Sequence, residues 1–206
     1  MFRRLLNAIA YRAKLLATLP IRRRLGRQVR QLDDAGFALI SNNCLAGQLY
    51  EMAGRRKMSP TAGLYFLGDS YPRFLEDLSG GDTAAWARIE AGRLGIHDSQ
   101  HCPVLCLGEG SEIVFLHYRD PTLAARKWND RFPRLKGREK VVIASLRDGI
   151  DEPMLERSAG QYRHFYLAGP APAPPADEFV LDRGCLSRLS QFLEGVLASR
   201  SAAPHR

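Results

Sequence analysis

Residues 36–69, GFALISNNCLAGQLYEMAGRRKMSPTAGLYFLGD, decide the fold. Phe37 to Ile40 is an apolar run short enough for a buried strand. Ser41, Asn42 and Asn43 then turn the chain into Cys44, and CLAGQLYEMAG continues with helical spacing. Leu45, Leu49 and Met52 share one face, and Gly54 is a natural C-terminal stop. A second strand, Leu64 to Leu67, follows a Ser-Pro-Thr turn and ends at Gly68-Asp69. This strand–turn–helix–strand unit puts polar residues at the carboxyl ends of both strands, where open α/β sheets place ligands. Small polar residues at such a turn can also present backbone N–H groups to an anion.

Working outward, apolar strands keep alternating with helices. Tyr71-Pro72 starts a helix that ends at Ser79-Gly80-Gly81, and residues 83–95, TAAWARIEAGRLG, predict another carrying Trp86 and Ile89. Val104 to Leu107 and Glu112 to Tyr118 read as a hairpin around GEGS, which makes the sheet mixed. Asp120-Pro121 opens a helix over 121–132. Lys140 to Ser145 is a strand, Arg147-Asp148-Gly149 a turn, Glu152 to Ser158 a short helix and Tyr162 to Leu167 a last core strand. GPAPAPPA at 169–176 is a stiff connector, followed by an edge strand at Phe179 to Leu181 and a helix from Cys185 to Leu197. The expected architecture is a three-layer α/β, Rossmann-like mixed sheet flanked by helices. It divides into an arm (1–34), an α/β body (35–168), and the Pro-rich connector with its C-terminal helix (169–206).

Charge is concentrated at one end. The net charge is +8, yet nine of the 30 basic residues lie in the first thirty positions, which hold none of the 22 acids. The remainder is near neutral. Residues 2–19 read as an amphipathic helix, Phe2, Leu5, Leu6, Ile9, Ala13 and Leu16 on one face, that Pro20 breaks; a second helix carries Ile21, Leu25, Val29 and Leu32 and ends at Gly36. Two uses compete for this basic arm: lying on an anionic membrane surface through residues 1–30, or capping the domain with a solvated face. Nucleic acid is not an expected partner, because no aromatic interleaving or nucleic-acid module accompanies the arginines. No run is long enough to span a membrane. Four scattered cysteines, Cys44, Cys102, Cys106 and Cys185, do not make a disulfide framework. The expected location is the cytoplasm, with the inner face of the cytoplasmic membrane as the place for a bound arm.

Four blocks carry a resemblance. ISNNCLAG at 40–47, SPTAGLYF at 59–66, FLHYRDPTLAARKWNDR at 115–131 and LRDG at 146–149 resemble, in that order, a bacterial family of unknown function whose members are usually labelled exopolysaccharide biosynthesis proteins. The likeness covers roughly residues 35–168. It departs at Leu45, where the family has Trp, at Leu146 in place of Asp, and at Ile150-Asp151 in place of Cys-Thr. The resemblance implies an α/β fold and a place in surface-polysaccharide assembly. It brings no settled reaction, so the chemistry rests on the residues.

Cys44 begins a helix just after a strand, where a thiol pKa falls and a nucleophile can be presented; with His117 and Asp148 it would make an acyl-transfer set. The competing reading is a packed thiol and a histidine bonded to a loop carbonyl. Asp148 and Asp69 follow strands and are candidates for a general base toward a sugar hydroxyl. Ser41, Asn42, Asn43 and Tyr118 are candidates for substrate contacts, and Arg119 or Arg147 for steadying a departing nucleotide diphosphate. Each of these also has a bland role as a cap or turn. No Asp-x-Asp pair occurs, which argues for a metal-independent mechanism if the reaction is glycosyl transfer. His97, His101, Cys102 and Cys106 have zinc-like spacings, but Cys106 belongs to an apolar run and Pro103 interrupts them, so no metal is expected. No nucleotide-binding or hydrolase motif is present and no cofactor is expected. The leading expectation is a transferase using a sugar nucleotide or other activated donor and a glycan or lipid-linked acceptor. An acyl-type transferase and a non-catalytic assembly module are the alternatives.

Overall fold

Strand β1, Phe37–Ser41, alternates strictly: Phe37 and Leu39 enter one apolar cluster, while Ala38 and Ile40 enter another on the opposite face. Strand β6, Glu139–Ser145, does the same with Val141 and Ile143 against Val142 and Ala144. Both strands are therefore covered on two sides, as parallel strands are in α/β folds. The computed structural model of the chain describes residues 2–108, 110–146, 150–167 and 183–201, with 2–15 and 201 in backbone only. Within it β1 pairs with β6 in parallel, and β6 with β7, Arg163–Leu167, also in parallel.

Three helices cover one face: α1 (Phe2–Asp34), α2 (Leu45–Met52) and α7 (Arg183–Ser201). Leu25, Val29 and Leu32 of α1 are buried with Leu45 and Leu49 of α2 and with Leu186, Leu189, Leu193 and Val196 of α7. The other face is covered by α3 (Ser70–Gly80), α5 (Pro121–Arg131) and α6 (Glu152–Ala159), whose Phe74, Trp128 and Leu155 lie in a second core. Phe74 is its hub, with ring centroids 5.5 Å from Phe66, 5.2 Å from Trp86 and 5.9 Å from Trp128. Such aromatic contacts add roughly 0.5–1.5 kcal/mol each beyond the area they bury.

The three-layer α/β class holds, with the pairing divided between two sheets. The parallel sheet has the order β1-β6-β7; an antiparallel sheet has the order β2-β5-β4-β3, built from β2 (Tyr65–Leu67), β3 (Gly95–Ile96), β4 (Pro103–Cys106) and β5 (Glu112–Val114). The sheets meet where the Phe66 N–H donates to the Asn42 carbonyl at 3.0 Å.

Several elements differ from the sequence reading. Pro20 does not break α1; the helix runs through it in a stretch where residues 16, 17, 19 and 20 are exposed, so loss of the Pro20 N–H costs the helix little there. The helix expected over 83–95 stops after α4, Ala84–Ala87, and the chain becomes extended at Arg88. The Asn129 carboxamide causes this, accepting the Ile89 N–H at 2.8 Å and donating to the Ile89 carbonyl at 2.9 Å. FLHY is not a strand end: β5 stops at Val114, and the Tyr118 N–H closes a turn onto the Phe115 carbonyl. Cys106, expected in a buried run, is exposed at the end of β4. The connector and edge strand expected at 169–181 lie outside the described residues.

The second half of α1 is also core, not a detachable arm. Gly26 packs so closely on α2 that a Cβ there would lie 2.4 Å from the Met52 carbonyl oxygen. Gln28 donates to the Ser190 carbonyl and accepts from the Ser190 hydroxyl, and Arg24 pairs with Glu194 at 2.6 Å, joining α1 to α7. A chain starting at residue 31 loses Leu25 and Val29, each contributing roughly 1.5–3 kcal/mol by burial, together with the Gln28 bonds. We expect that chain to lack a cooperative unfolding transition in urea, whereas one starting at residue 16 retains it.

Candidate functional site

The carboxyl ends of β1 and β6 are held by their own polar side chains. The Ser41 N–H donates to Thr61 Oγ1 at 3.2 Å; its hydroxyl donates to the Asn43 carbonyl at 2.6 Å and accepts the Ala46 N–H at 3.0 Å, capping the first turn of α2. Asn42 is buried and grips both backbone groups of Ser145: Nδ2 donates to the carbonyl at 2.8 Å, and Oδ1 accepts the N–H at 2.9 Å. Asn43 accepts the Leu45 N–H and donates to Ser145 Oγ, both at 2.9 Å. Ser41, Asn42 and Asn43, three of the residues read as substrate contacts, are thus engaged within the fold, and of these only Asn43, half-buried, reaches toward solvent.

The 59–63 turn lies against this end. Ser59 and Thr61 hydroxyls share a hydrogen bond of 2.8 Å, and a side chain at Gly47 would meet the Gly63 nitrogen at 3.4 Å, so α2 rests on the turn through a glycine. Cys44 Sγ is 3.8 Å from the Leu64 carbonyl oxygen, and the His117 N–H points at the Gly63 carbonyl at 3.4 Å. His117 is exposed; Tyr118 is buried, with its hydroxyl accepting from Arg131 Nη1 at 2.9 Å. Cys44, His117 and Tyr118 therefore gather around Gly63 and Leu64.

Other candidates separate. Asp69 lies past the far end of β2, where it accepts the Ser111 hydroxyl and pairs with Arg73 at 2.8 Å; three strand residues part it from the His117 corner. Arg119 is exposed and has no hydrogen bond or ion pair among the described residues. Arg147 and Asp148 lie outside the described residues. Among the described residues no three His, Cys, Asp or Glu side chains gather to hold a metal ion. An open groove of about 650 Å³ runs along another flank of α5, where Arg88 and Arg126 mix with Glu90 and Asp130 in no selective pattern.

The family described as a domain of unknown function, DUF1919, matches residues 20–159. The chain belongs to this family. The DUF1919 match begins where α1 enters the core and runs to the end of α6, taking in the antiparallel sheet together with β1 and β6 but not β7. The chain is also similar to an uncharacterized protein of Haemophilus influenzae, 26% identical over 123 residues, which are 60% of this chain and 56% of that protein. The chain thus spans little more than half of that relative's length.

Cys44 answers the nucleophile expectation in the opposite sense. Burial pushes its thiol up to about 11, offset only in part by the Lys57 cation nearby. The first-turn N–H groups that would favour a thiolate are directed at Asn43 and Ser41 oxygens instead. Sequence reasoning also missed Arg131, Ser145 and Gly63. Ser145 carried a legible signal, a small polar residue ending an apolar strand; Arg131 looked like an ordinary cation in the last turn of a helix.

Two measurements follow from this geometry. A thiol raised from 9.0 to about 11 holds about a hundredfold less thiolate at pH 8. Iodoacetamide should therefore label Cys44 about a hundredfold more slowly than a free thiol in mass spectrometry, the rate climbing toward pH 11. Asn42→Ala leaves the buried Ser145 N–H and carbonyl without partners and should lower stability by about 2 to 4 kcal/mol in urea unfolding.

Proposed function

We propose that this DUF1919 chain is a transferase of bacterial surface-polysaccharide assembly that moves a sugar from an activated donor to a glycan or lipid-linked acceptor. The observation that supports it is the His117 corner: an exposed imidazole beside Gly63, next to Tyr118 and Arg131, at the end of the molecule where β1 and β6 finish. An acceptor hydroxyl needs a proton acceptor within hydrogen-bond reach, and an activated phosphate-bearing donor needs a cation. His117 supplies the first and Arg131 the second. Asp148, three positions after β6 in the sequence, is the carboxylate candidate. The four sequence blocks that resemble exopolysaccharide biosynthesis proteins supply the substrate class. Metal independence rests on the lack of an Asp-x-Asp pair in the sequence.

Acyl transfer through Cys44 is the weaker chemistry, since its thiol is held protonated. The non-catalytic module gains from one observation, that Ser41, Asn42 and Asn43 spend their hydrogen bonds inside the fold. In either reading the free end of α1 is the contact for an anionic membrane surface: Leu16 and Leu19 are 69% and 37% exposed beside an arginine-rich stretch. No described helix is long and apolar enough to cross a membrane.

Comparing surface glycans by mass in cells with and without the gene tests the proposal. A missing sugar, restored by the intact gene and not by His117→Ala, is the expected result. A missing acyl group would favour the alternative chemistry. Full restoration by His117→Ala would favour the module.

A further inference from the structure

Arg131 ends α5 with 8% of its surface exposed, and it has no ion pair among the described residues. A buried guanidinium is normally matched by an acid, because an uncompensated charge away from water is costly. Here Nη1 is occupied, donating to the Ala62 carbonyl at 2.8 Å and to the Tyr118 hydroxyl at 2.9 Å. The Nε and Nη2 donors have no protein partner among the described residues, and neither atom is sealed from solvent. An arginine fork with one corner fixed and the others open suits a tetrahedral oxyanion.

Three further observations surround it. The Tyr118 hydroxyl accepts from Arg131, which leaves its own proton free to donate. Gly63, at φ +90°, leaves space where a Cβ would lie 3.5 Å from Tyr118 Oη and 3.7 Å from His117 Cδ2. Any side chain at that position would fill the corner. Arg134, donating to the Lys57 carbonyl at 2.5 Å, is pushed down from its ordinary range by burial and then by the cations Arg56 and Arg131. Like charges thus crowd one place, where among the described residues Asp130 is the acid acting on Arg134.

We infer that Arg131, Tyr118 and His117 around Gly63 form a subsite for a phosphoanion, the diphosphate of the activated sugar. The inference rests on the transferase reading for its substrate and, for its place, on a buried guanidinium with no acid partner among the described residues. The same chemistry serves a nucleoside diphosphate and a lipid-linked diphosphate. Arg131 and Tyr118 hold the diphosphate by charge and hydrogen bonds, and His117 borders it on the side where, in the transferase reading, the acceptor hydroxyl gives up its proton as the sugar–diphosphate bond breaks.

Calorimetric titration of the full chain with inorganic pyrophosphate tests it, with uridine diphosphate and farnesyl diphosphate as separate arms. Saturable binding is expected, weakened at least tenfold in Arg131→Lys and in His117→Ala. His117→Ala should keep the parent's thermal unfolding, because the exposed imidazole can be removed without touching the backbone bond to Gly63. In the unaltered chain the Arg131 Nε–Hε resonance should move as pyrophosphate is added, a signal that a purely structural arginine does not give. Tighter binding of uridine diphosphate than of pyrophosphate assigns a nucleotide source, and tighter binding of farnesyl diphosphate a lipid source. Lack of saturable binding, equal binding by both variants, or an unmoved Arg131 resonance overturns the subsite. Unchanged glycans in cells lacking the gene would remove the transferase reading while leaving measured pyrophosphate binding in place.

Discussion

The structure depends on one buried carboxamide. Asn42 pairs both backbone groups of Ser145 through its side chain and accepts the Phe66 N–H through its own carbonyl. The first pair zips the ends of two neighbouring parallel strands, β1 and β6. The second contact fastens the antiparallel sheet to them. An aspartate could not donate to the Ser145 carbonyl, and a leucine could do neither, so the position needs a group that donates and accepts in one plane. Sealed from water, these bonds gain strength from their surroundings, and for the same reason their loss is not made good by solvent. The 59–63 turn, α2 and the His117 corner all take their places from this joint.

That joint also explains how much of the molecule the sequence disclosed. The strand–turn–helix–strand unit, the alternating faces of β1 and β6 and the three-layer class follow from apolar spacing, which is a local signal. Three misreadings came from distant partners. Pro20 continues a helix because its side of α1 is open to water, and the exposure of a helix face is set by what packs on the other side. Residues 88–95 leave the helix because Asn129, forty positions away, takes both backbone groups of Ile89. The FLHY stretch has strand composition, but its backbone folds back on Phe115 and on Gly63.

For the site, the sequence showed which polar residues end the strands but not where their hydrogen bonds go. Polarity at a strand end was visible; whether it serves a ligand or the fold was not. Ser41 and Asn42 are consumed by capping and joining, and Cys44 is desolvated where its position suggested activation. Asp69 follows a strand, as expected of a site residue, but that strand ends at the opposite side. Arg131 was hidden for a converse reason. A cation in a last helical turn is ordinarily solvated and favourable to the dipole, and nothing in the spacing of NDRF announces that its helix ends against Ala62.

The clasp between the first and last helices carries a consequence for synthesis. One face of the parallel sheet, including Phe37, Leu39, Val141 and Ile143, is covered by α1 and α2 together with Leu186, Leu189, Leu193 and Val196 of α7. While the chain is being made, β1 and α2 can form early, yet the Phe37 and Leu39 side of β1 lacks its α7 cover for about 150 residues, and the Val141 and Ile143 side of β6 for about 40. The nascent protein therefore holds this face under α1 and α2 alone until α7 arrives to complete it.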